Sequence, residues 1–205
     1  MRSTPEAVIF DMDDVLCRYD FGARLARMAE MSGVDAATIE RVIFDEGFDA
    51  RADAGGYTAE AYHEEFCRRI GAPLSVAQWL EARAASMAPD DEVLDMARRV
   101  ARRARVAVLT NNGPLLEAHI GRVFPQVVEI FGEHVCFSCG LGASKPEPRV
   151  FEAVVARLGV TAAATLFIDD SAEYVQGAAE AGLETHHFRS AAALRRALED
   201  RGLLA

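Results

Sequence analysis

The sequence lacks the features that would assign it to several specialised classes of protein. No run approaches the roughly 18 apolar residues that a membrane span needs, and no segment repeats at a fixed period. No apolar signal region precedes the first predicted strand. We therefore expect a cytoplasmic protein with no membrane partner.

Positive charge is also scarce. The chain of 205 residues has 22 lysines and arginines against 32 aspartates and glutamates, for a net charge of -10. This balance argues against a nucleic-acid partner, because phosphate backbones are bound by clustered basic surfaces. An anionic small substrate would need local positive charge from a metal ion, a well-placed lysine or helix N-termini.

Cysteine is sparse, and only one Cys-x-x-Cys pair occurs, at Cys136 and Cys139. A single pair without a second pair or nearby histidines is weak evidence for zinc. We predict that these cysteines serve ordinary packing.

What the chain does contain is an alternation of strands and helices. Predicted strands begin at Ala7, Val106, Val135, Thr165 and Glu184, and helices separate the later ones. This order predicts right-handed crossovers and a Rossmann-like α/β core, a parallel sheet with helices on both faces. Residues 19–89 show only helices and loops, with no strand, and the glycine-rich segment 46–58 predicts a loop.

Three aspartates follow the first predicted strand. Ala7–Phe10 is apolar throughout, and Asp11, Asp13 and Asp14 come within the next four positions. Carboxylates this close raise one another's pKa, so keeping them ionised calls for a hard metal ion or an ammonium group. The alternative is a solvated acidic turn after an edge strand.

Polar side chains also follow the other predicted strands. Taken singly, they could cap helices or be solvated. Together they lie where the carboxyl ends of parallel strands form a ligand crevice, so we expect one site. They are Thr110, Asn111, Asn112, Lys145, Asp169 and Asp170.

This set suits phosphoryl transfer through an aspartyl phosphate. Asp11 would attack phosphorus, and Asp13 would act as general acid and then as general base. Mg²⁺ prefers oxygen ligands, so Asp11, the backbone carbonyl of Asp13 and an acid from the Asp169 and Asp170 pair would hold it.

The remaining residues of the set would bind the phosphoryl group. Lys145 would balance the charge of the nucleophile and the phosphoryl oxygens. The Thr110 hydroxyl and the backbone amides near Asn111 would donate hydrogen bonds to those oxygens.

Four segments, FDMDDVL, VLTNN, SKPEP and FIDDSAEYVQGAAEAG, resemble in this order the four motifs of the haloacid dehalogenase superfamily. The resemblance implies the roles given above, with Asp170 as the direct metal ligand and Asp169 beside it, or the reverse. The helical segment is similar to the small cap of that superfamily's phosphatases and dehalogenases. We therefore expect a catalytic core of residues 1–18 and 90–205 and a helical cap of residues 19–89.

Asp13 decides between branches of the superfamily. Its dehalogenases need no metal and lack an aspartate two residues after the nucleophile. In the phosphatases of the superfamily, a glycine and a threonine usually follow the second aspartate of the first motif. This chain has Asp14 and Val15 at those two positions. The layout is similar to that of sugar-phosphate phosphatases such as those acting on glucose 1-phosphate.

We therefore predict a Mg²⁺-dependent phosphatase of a small phosphorylated metabolite, as a monomer or homodimer. The alternatives are a phosphosugar mutase, a 2-haloacid dehalogenase or a catalytically silent binding protein.

Substrate choice is expected to lie in the cap, because the core binds only the phosphoryl group. We predict that Trp79 serves packing. Polar candidates for recognition, each of which could equally be a surface residue, are Arg18, Arg24, Arg51, Tyr57 and His63.

Overall fold

The computed structural model describes residues 4–204. The strands in this range are β1 (Ala7–Phe10), β2 (Cys17–Tyr19), β3 (Met87–Pro89), β4 (Arg105–Thr110), β5 (Val135–Phe137), β6 (Thr165–Asp169) and β7 (Glu184–His187). The helices before β4 are α1 (Phe21–Ser32), α2 (Ala36–Ile39), α3 (Phe48–Asp53), α4 (Ala59–Ile70), α5 (Val76–Ala85) and α6 (Asp91–Val100). Those after it are α7 (Pro114–Glu117), α8 (Ile120–Val123), α9 (Pro125–Phe131), α10 (Pro148–Leu158), α11 (Ala172–Glu180) and α12 (Ala191–Glu199).

The main sheet has five parallel strands in the order β5-β4-β1-β6-β7. Phe10 at the end of β1 pairs with Val108 of β4 and with Ile168 of β6. The carboxyl ends of these three strands therefore meet at one edge of the sheet.

Helices cover both faces of this sheet because side chains alternate along its central strand. Val8 and Phe10 pack in one hydrophobic cluster with residues of α6, α9 and α12. Ala7 and Ile9 pack in a second cluster with residues of α10 and α11. All four side chains are fully buried. The predicted Rossmann-like α/β architecture is confirmed.

Helices α1–α5 form a helical insertion, residues 21–85, between β2 and β3. The expectation that residues 19–89 contain no strand is wrong. Met87–Pro89 pairs antiparallel with Cys17–Tyr19, so that Tyr19 lies opposite Met87. A strand of three residues carries too short a pattern to detect, and its pairing depends on a partner far along the chain. The division into a core and a cap stays a prediction.

The predicted loop over residues 46–58 is also wrong in part, because it contains α3. Phe48 and Ala52 are fully buried, and the Phe48 ring stacks on Tyr62 with centroids 5.1 Å apart. Burial of these side chains offsets the local preference of a glycine-rich segment for a loop. Helix α2 continues directly into a π-helical segment, Glu40–Asp45.

No helix within residues 4–204 combines the length and the apolar character that crossing a membrane requires.

Candidate active site

Strand ends bring three of the predicted site residues into contact. Asp11 directly follows β1, Asp169 ends β6, and Lys145 lies in the loop after β5. The Lys145 Nζ atom lies 2.7 Å from Oδ1 of Asp11 and 2.7 Å from Oδ2 of Asp169. All three residues are buried. The ammonium group therefore bridges two carboxylates at the carboxyl edge of the sheet.

The loop that carries Lys145 is held from two sides. The Asn111 side chain donates from Nδ2 to the Lys145 carbonyl at 3.0 Å and accepts the Lys145 N–H at 2.9 Å. On the other side, a Cβ atom at Gly177 of α11 would lie 2.4 Å from the Pro146 carbonyl oxygen, so only glycine permits this close approach. Asn111, predicted near the phosphoryl group, thus uses its side chain to position Lys145.

The charges of this cluster do not balance. Burial raises the pKa of Asp11 to about 8, Lys145 partly opposes the shift, and Asp169 adds to it. Burial opposes the charge of Lys145, but Asp11 and Asp169 outweigh it and raise the pKa of the ammonium group. Burial and Asp169 also raise the pKa of Asp170. With all three carboxylates ionised, as metal ligands would be, one ammonium group leaves about two negative charges to be neutralised.

A divalent cation would neutralise this excess negative charge. Asp11, Asp169 and Asp170 each offer a carboxylate oxygen, and these oxygens lie within 4.8 Å of one another. All-oxygen ligands suit Mg²⁺. Asp13, predicted to contribute a backbone carbonyl, is not one of these three side chains.

The Asp13 carboxylate instead joins a network that sequence reasoning missed. Its Oδ2 atom accepts from Nη2 of Arg83 at 2.6 Å and from Nδ2 of Asn112 at 3.1 Å. Asn112 also donates to Oγ1 of Thr110 at 2.7 Å, and Thr110 is buried. Arg83 belongs to α5, far from Asp13 in the sequence, so no local pattern could indicate this contact.

Asp14 stands where the phosphatases that the first motif resembles usually have glycine, and its backbone shows why aspartate is tolerated there. Asp14 adopts φ 58, the left-handed region that glycine normally occupies. Aspartate tolerates this conformation because its side chain can bond locally, and Oδ1 of Asp14 accepts the Tyr19 N–H at 3.0 Å. The turn therefore keeps the backbone path that a glycine would give.

A small cavity of about 10 Å³ lies between the helical insertion and the core. This is room for about one water molecule. Two buried N–H groups in its wall, Nε of Arg24 and Nε1 of Trp79, have no hydrogen-bond partner within residues 4–204. Asp49, Asp53, Tyr62 and Asn112 also line it.

Of the five predicted recognition residues, only Arg24 lines this cavity. Arg18 and Arg51 are exposed. The Tyr57 ring packs on Phe48, and Nε2 of His63 lies 2.7 Å from the Leu74 carbonyl oxygen.

Two packing predictions can be placed in the structure. Trp79 is buried, as predicted, although it also lines the cavity. Cys136 is buried in the hydrophobic cluster that contains Ile9, and Cys139 packs against the cluster that contains Phe10. Among residues 4–204, the only cluster of acidic, histidine or cysteine side chains that could hold a metal ion is the aspartate cluster.

The chain is similar to known proteins along most of its length. A family model described as haloacid dehalogenase-like hydrolase matches residues 5–182. A curated protein of Mycobacterium tuberculosis, Phosphatase MT3486, is 30% identical over 192 residues, which cover 88% of this chain and 85% of that protein.

Solved structures share the fold. A HAD-like family hydrolase from Porphyromonas gingivalis has a TM-score of 0.79 at 24% identity. The match covers 96% of this chain and 98% of the hydrolase. A HAD family enzyme from Bacteroides thetaiotaomicron, in complex with magnesium, has a TM-score of 0.76 at 21% identity. That match covers 91% of this chain and 94% of the enzyme. The latter enzyme was also solved with magnesium and inorganic phosphate.

Proposed function

Because the chain belongs to the haloacid dehalogenase-like hydrolases, we propose that it is a Mg²⁺-dependent phosphatase of a small phosphorylated metabolite, a sugar phosphate or similar monoester. The observation that carries this proposal is a carboxylate at Asp13, two residues after Asp11. An alkoxide leaving group needs a proton donor, whereas a departing halide does not. The name of the mycobacterial relative and the magnesium and phosphate bound to the Bacteroides enzyme support the same chemistry.

The first step would form an aspartyl phosphate. An oxygen of Asp11 attacks phosphorus, the bond from phosphorus to the leaving oxygen breaks, and Asp13 gives that oxygen a proton. Arg83 and Asn112 occupy Oδ2 of Asp13. Oδ1, whose described contact is a weak one at 3.8 Å from Sγ of Cys17, is then the oxygen that exchanges the proton.

The second step would release phosphate. A water molecule attacks phosphorus and gives a proton to Asp13, and the bond between Asp11 and phosphorus breaks. Asp11 and Asp13 are thereby restored to their initial states. Lys145 holds the nucleophile in place through its 2.7 Å contact and offsets part of its charge.

Asp11 and Asp170 would be direct ligands of Mg²⁺. Asp169 is the weaker candidate, because its Oδ1 accepts the Ser171 N–H at 2.8 Å and its Oδ2 accepts from Lys145 at 2.7 Å. When bound, the metal ion would neutralise charge on the phosphoryl oxygens and orient them for attack.

The helical insertion would act as a cap that selects the substrate. Its Arg24, Tyr62 and Trp79 face the cavity beside Asn112, while its Arg83 reaches Asp13. This space holds about one water molecule, so the leaving group would enter it only after the insertion moves away from the core, and would be enclosed when the insertion closes again. Residues 19–89 therefore remain our proposal for a cap, with β2 and β3 as its connections to the core.

Phosphate release from a panel of phosphorylated metabolites, with Mg²⁺ and with EDTA, tests this function. We expect release from one or a few sugar phosphates, loss of release in EDTA and recovery on adding Mg²⁺. Metal-independent halide release from 2-chloropropionate would identify a dehalogenase instead. Movement of phosphate between sugar positions without release would identify a mutase, and no turnover of any kind would contradict catalysis.

A further inference from the structure

We propose that Arg83 is a positioning residue that fixes the Asp13 carboxylate for proton transfer only while the helical insertion lies against the core. This inference rests on the proposed phosphatase function, in which Asp13 is the acid and base. It assigns a role in the chemical step to a side chain of the insertion.

The contact that carries this inference is direct. Nη2 of Arg83 lies 2.6 Å from Oδ2 of Asp13, within the range of a strong charge-assisted hydrogen bond. The same Nη2 atom also donates to Oδ1 of Asn112 at 3.3 Å, and Nδ2 of Asn112 donates to Oδ2 of Asp13 at 3.1 Å. Two donors on one oxygen restrict rotation of the carboxylate and leave its other oxygen for the proton.

The burial of Arg83 leaves part of its guanidinium group unpaired within residues 4–204. Its side chain is 1% exposed, whereas that of Asp13 is 23% exposed. The Nε and Nη1 atoms of Arg83 find no hydrogen-bond partner in the described part of the chain. Burying a guanidinium group with unmet donors costs free energy, and a buried ion pair seldom repays that cost. A role in the reaction would explain why the arginine is there.

The rest of Arg83 is anchored where the insertion joins the core. The guanidinium carbon lies 4.4 Å from the ring centroid of Tyr19, in β2. The Arg83 carbonyl accepts from Oγ of Ser86 at 2.7 Å, and the Ser86 carbonyl accepts the Asp20 N–H at 2.8 Å. Movement of α5 away from the core would therefore withdraw Arg83 and leave Asn112 as the remaining donor to Asp13.

Leaving-group dependence provides the test, because general acid catalysis matters most for a poor leaving group. We would measure kcat/KM of wild type, Arg83→Met and Arg83→Lys with phenyl phosphate and with 4-nitrophenyl phosphate, two esters of similar size. For Arg83→Met we expect a loss of about 10²-fold with phenyl phosphate and less than about 5-fold with 4-nitrophenyl phosphate. Arg83→Lys keeps the charge but lacks the planar fork, so we expect an intermediate loss.

A second cap arginine gives the matched control. Arg69 places its guanidinium 4.8 Å from the Phe48 ring centroid and donates to the Val42 carbonyl at 3.2 Å, all within the insertion. Arg69→Gln should leave the ratio of the two kcat/KM values unchanged, and thermal unfolding would verify that every variant is folded.

Equal losses on both esters would overturn the inference, because Arg83 would then act only in binding or folding. Unchanged kinetics in Arg83→Met would also overturn it. If wild type hydrolyses neither these esters nor the metabolite panel, the proposed phosphatase function itself fails, which is a different result.

Discussion

The two sides of the candidate site are built differently. On the core side, Lys145, Asp11 and Asp169 pair with one another, and none of them is among the buried side chains with an unpaired atom in residues 4–204. On the insertion side, Arg24 and Arg83 are buried with N–H groups that lack partners in the same range. The hydrogen-bonding atoms of these three core side chains are paired, although negative charge stays in excess among the aspartates, whereas the insertion side retains donors unpaired within that range.

This difference fits a division of labour within the proposed reaction. The phosphoryl group is the same in every substrate, so a rigid, fully paired site can serve it. The leaving group varies, and unmet donors beside a cavity can pair with it on binding. Changes on the core side should therefore act on the rate. Changes on the insertion side, apart from Arg83, should act on stability and substrate choice.

The largest effect should come from the core side, with Asp11→Asn. An amide cannot form the aspartyl phosphate, so we expect turnover to fall by about 10⁴-fold or more, with the fold preserved. Activity toward the best substrate and a thermal unfolding curve would be measured together. Unchanged activity in a folded variant would contradict the covalent mechanism.

Gly177→Ala should have the next largest effect, although Gly177 contacts no substrate. The added methyl group would lie 2.4 Å from the Pro146 carbonyl oxygen and must displace the loop that carries Lys145. We expect kcat to fall by about 10 to 10²-fold, since displacements of about 1 Å have such costs. Gly121→Ala is a suitable control, because the nearest atom to its Cβ is 3.9 Å away on Val128. Wild-type kcat in Gly177→Ala would show that the loop is not rigidly held.

The smallest effect should come from the insertion side, with Asp53→Asn. Burial raises the pKa of Asp53 to about 8, and Asp49 adds to the shift. The folded state then keeps a proton that the unfolded chain loses near pH 4, so this group lowers stability as pH rises from about 4 to 8.

The variant lacks this titration. The unfolding free energy of Asp53→Asn minus that of wild type should therefore be about 1–3 kcal/mol larger at pH 8 than at pH 5. Urea unfolding of both proteins at the two pH values would measure this gain. An equal difference at pH 5 and pH 8 would show that Asp53 is ionised in the folded protein throughout.

The core side could be predicted from the sequence because parallel strands make neighbours of their carboxyl ends. Asp11, Lys145 and Asp169 each follow a recognisable strand, and the structure brings them into contact. Local helix signals are also readable in the sequence, since Pro148 stands at the first position of α10, where proline fits, and the Ser75 side chain caps α5.

The insertion side could not be predicted in the same way. Arg83 lies among apolar residues of α5, and nothing near it in the sequence indicates a partner in Asp13. Helix α3 forms because Phe48 and Ala52 are buried by other helices, a tertiary effect that local composition does not contain. Helix packing fixes these contacts, so only the structure reveals them.

The pairing of β2 with β3 has a consequence for how such a protein can diversify. Because Tyr19 lies opposite Met87, the helical insertion leaves the core and returns to it at nearly the same point, one strand spacing of about 4.8 Å apart. A segment whose two ends meet can lengthen, shrink or be exchanged without strain on the parallel sheet. Under the proposed function, the core that breaks the phosphate bond and the insertion that chooses the molecule carrying it are therefore free to evolve at separate rates.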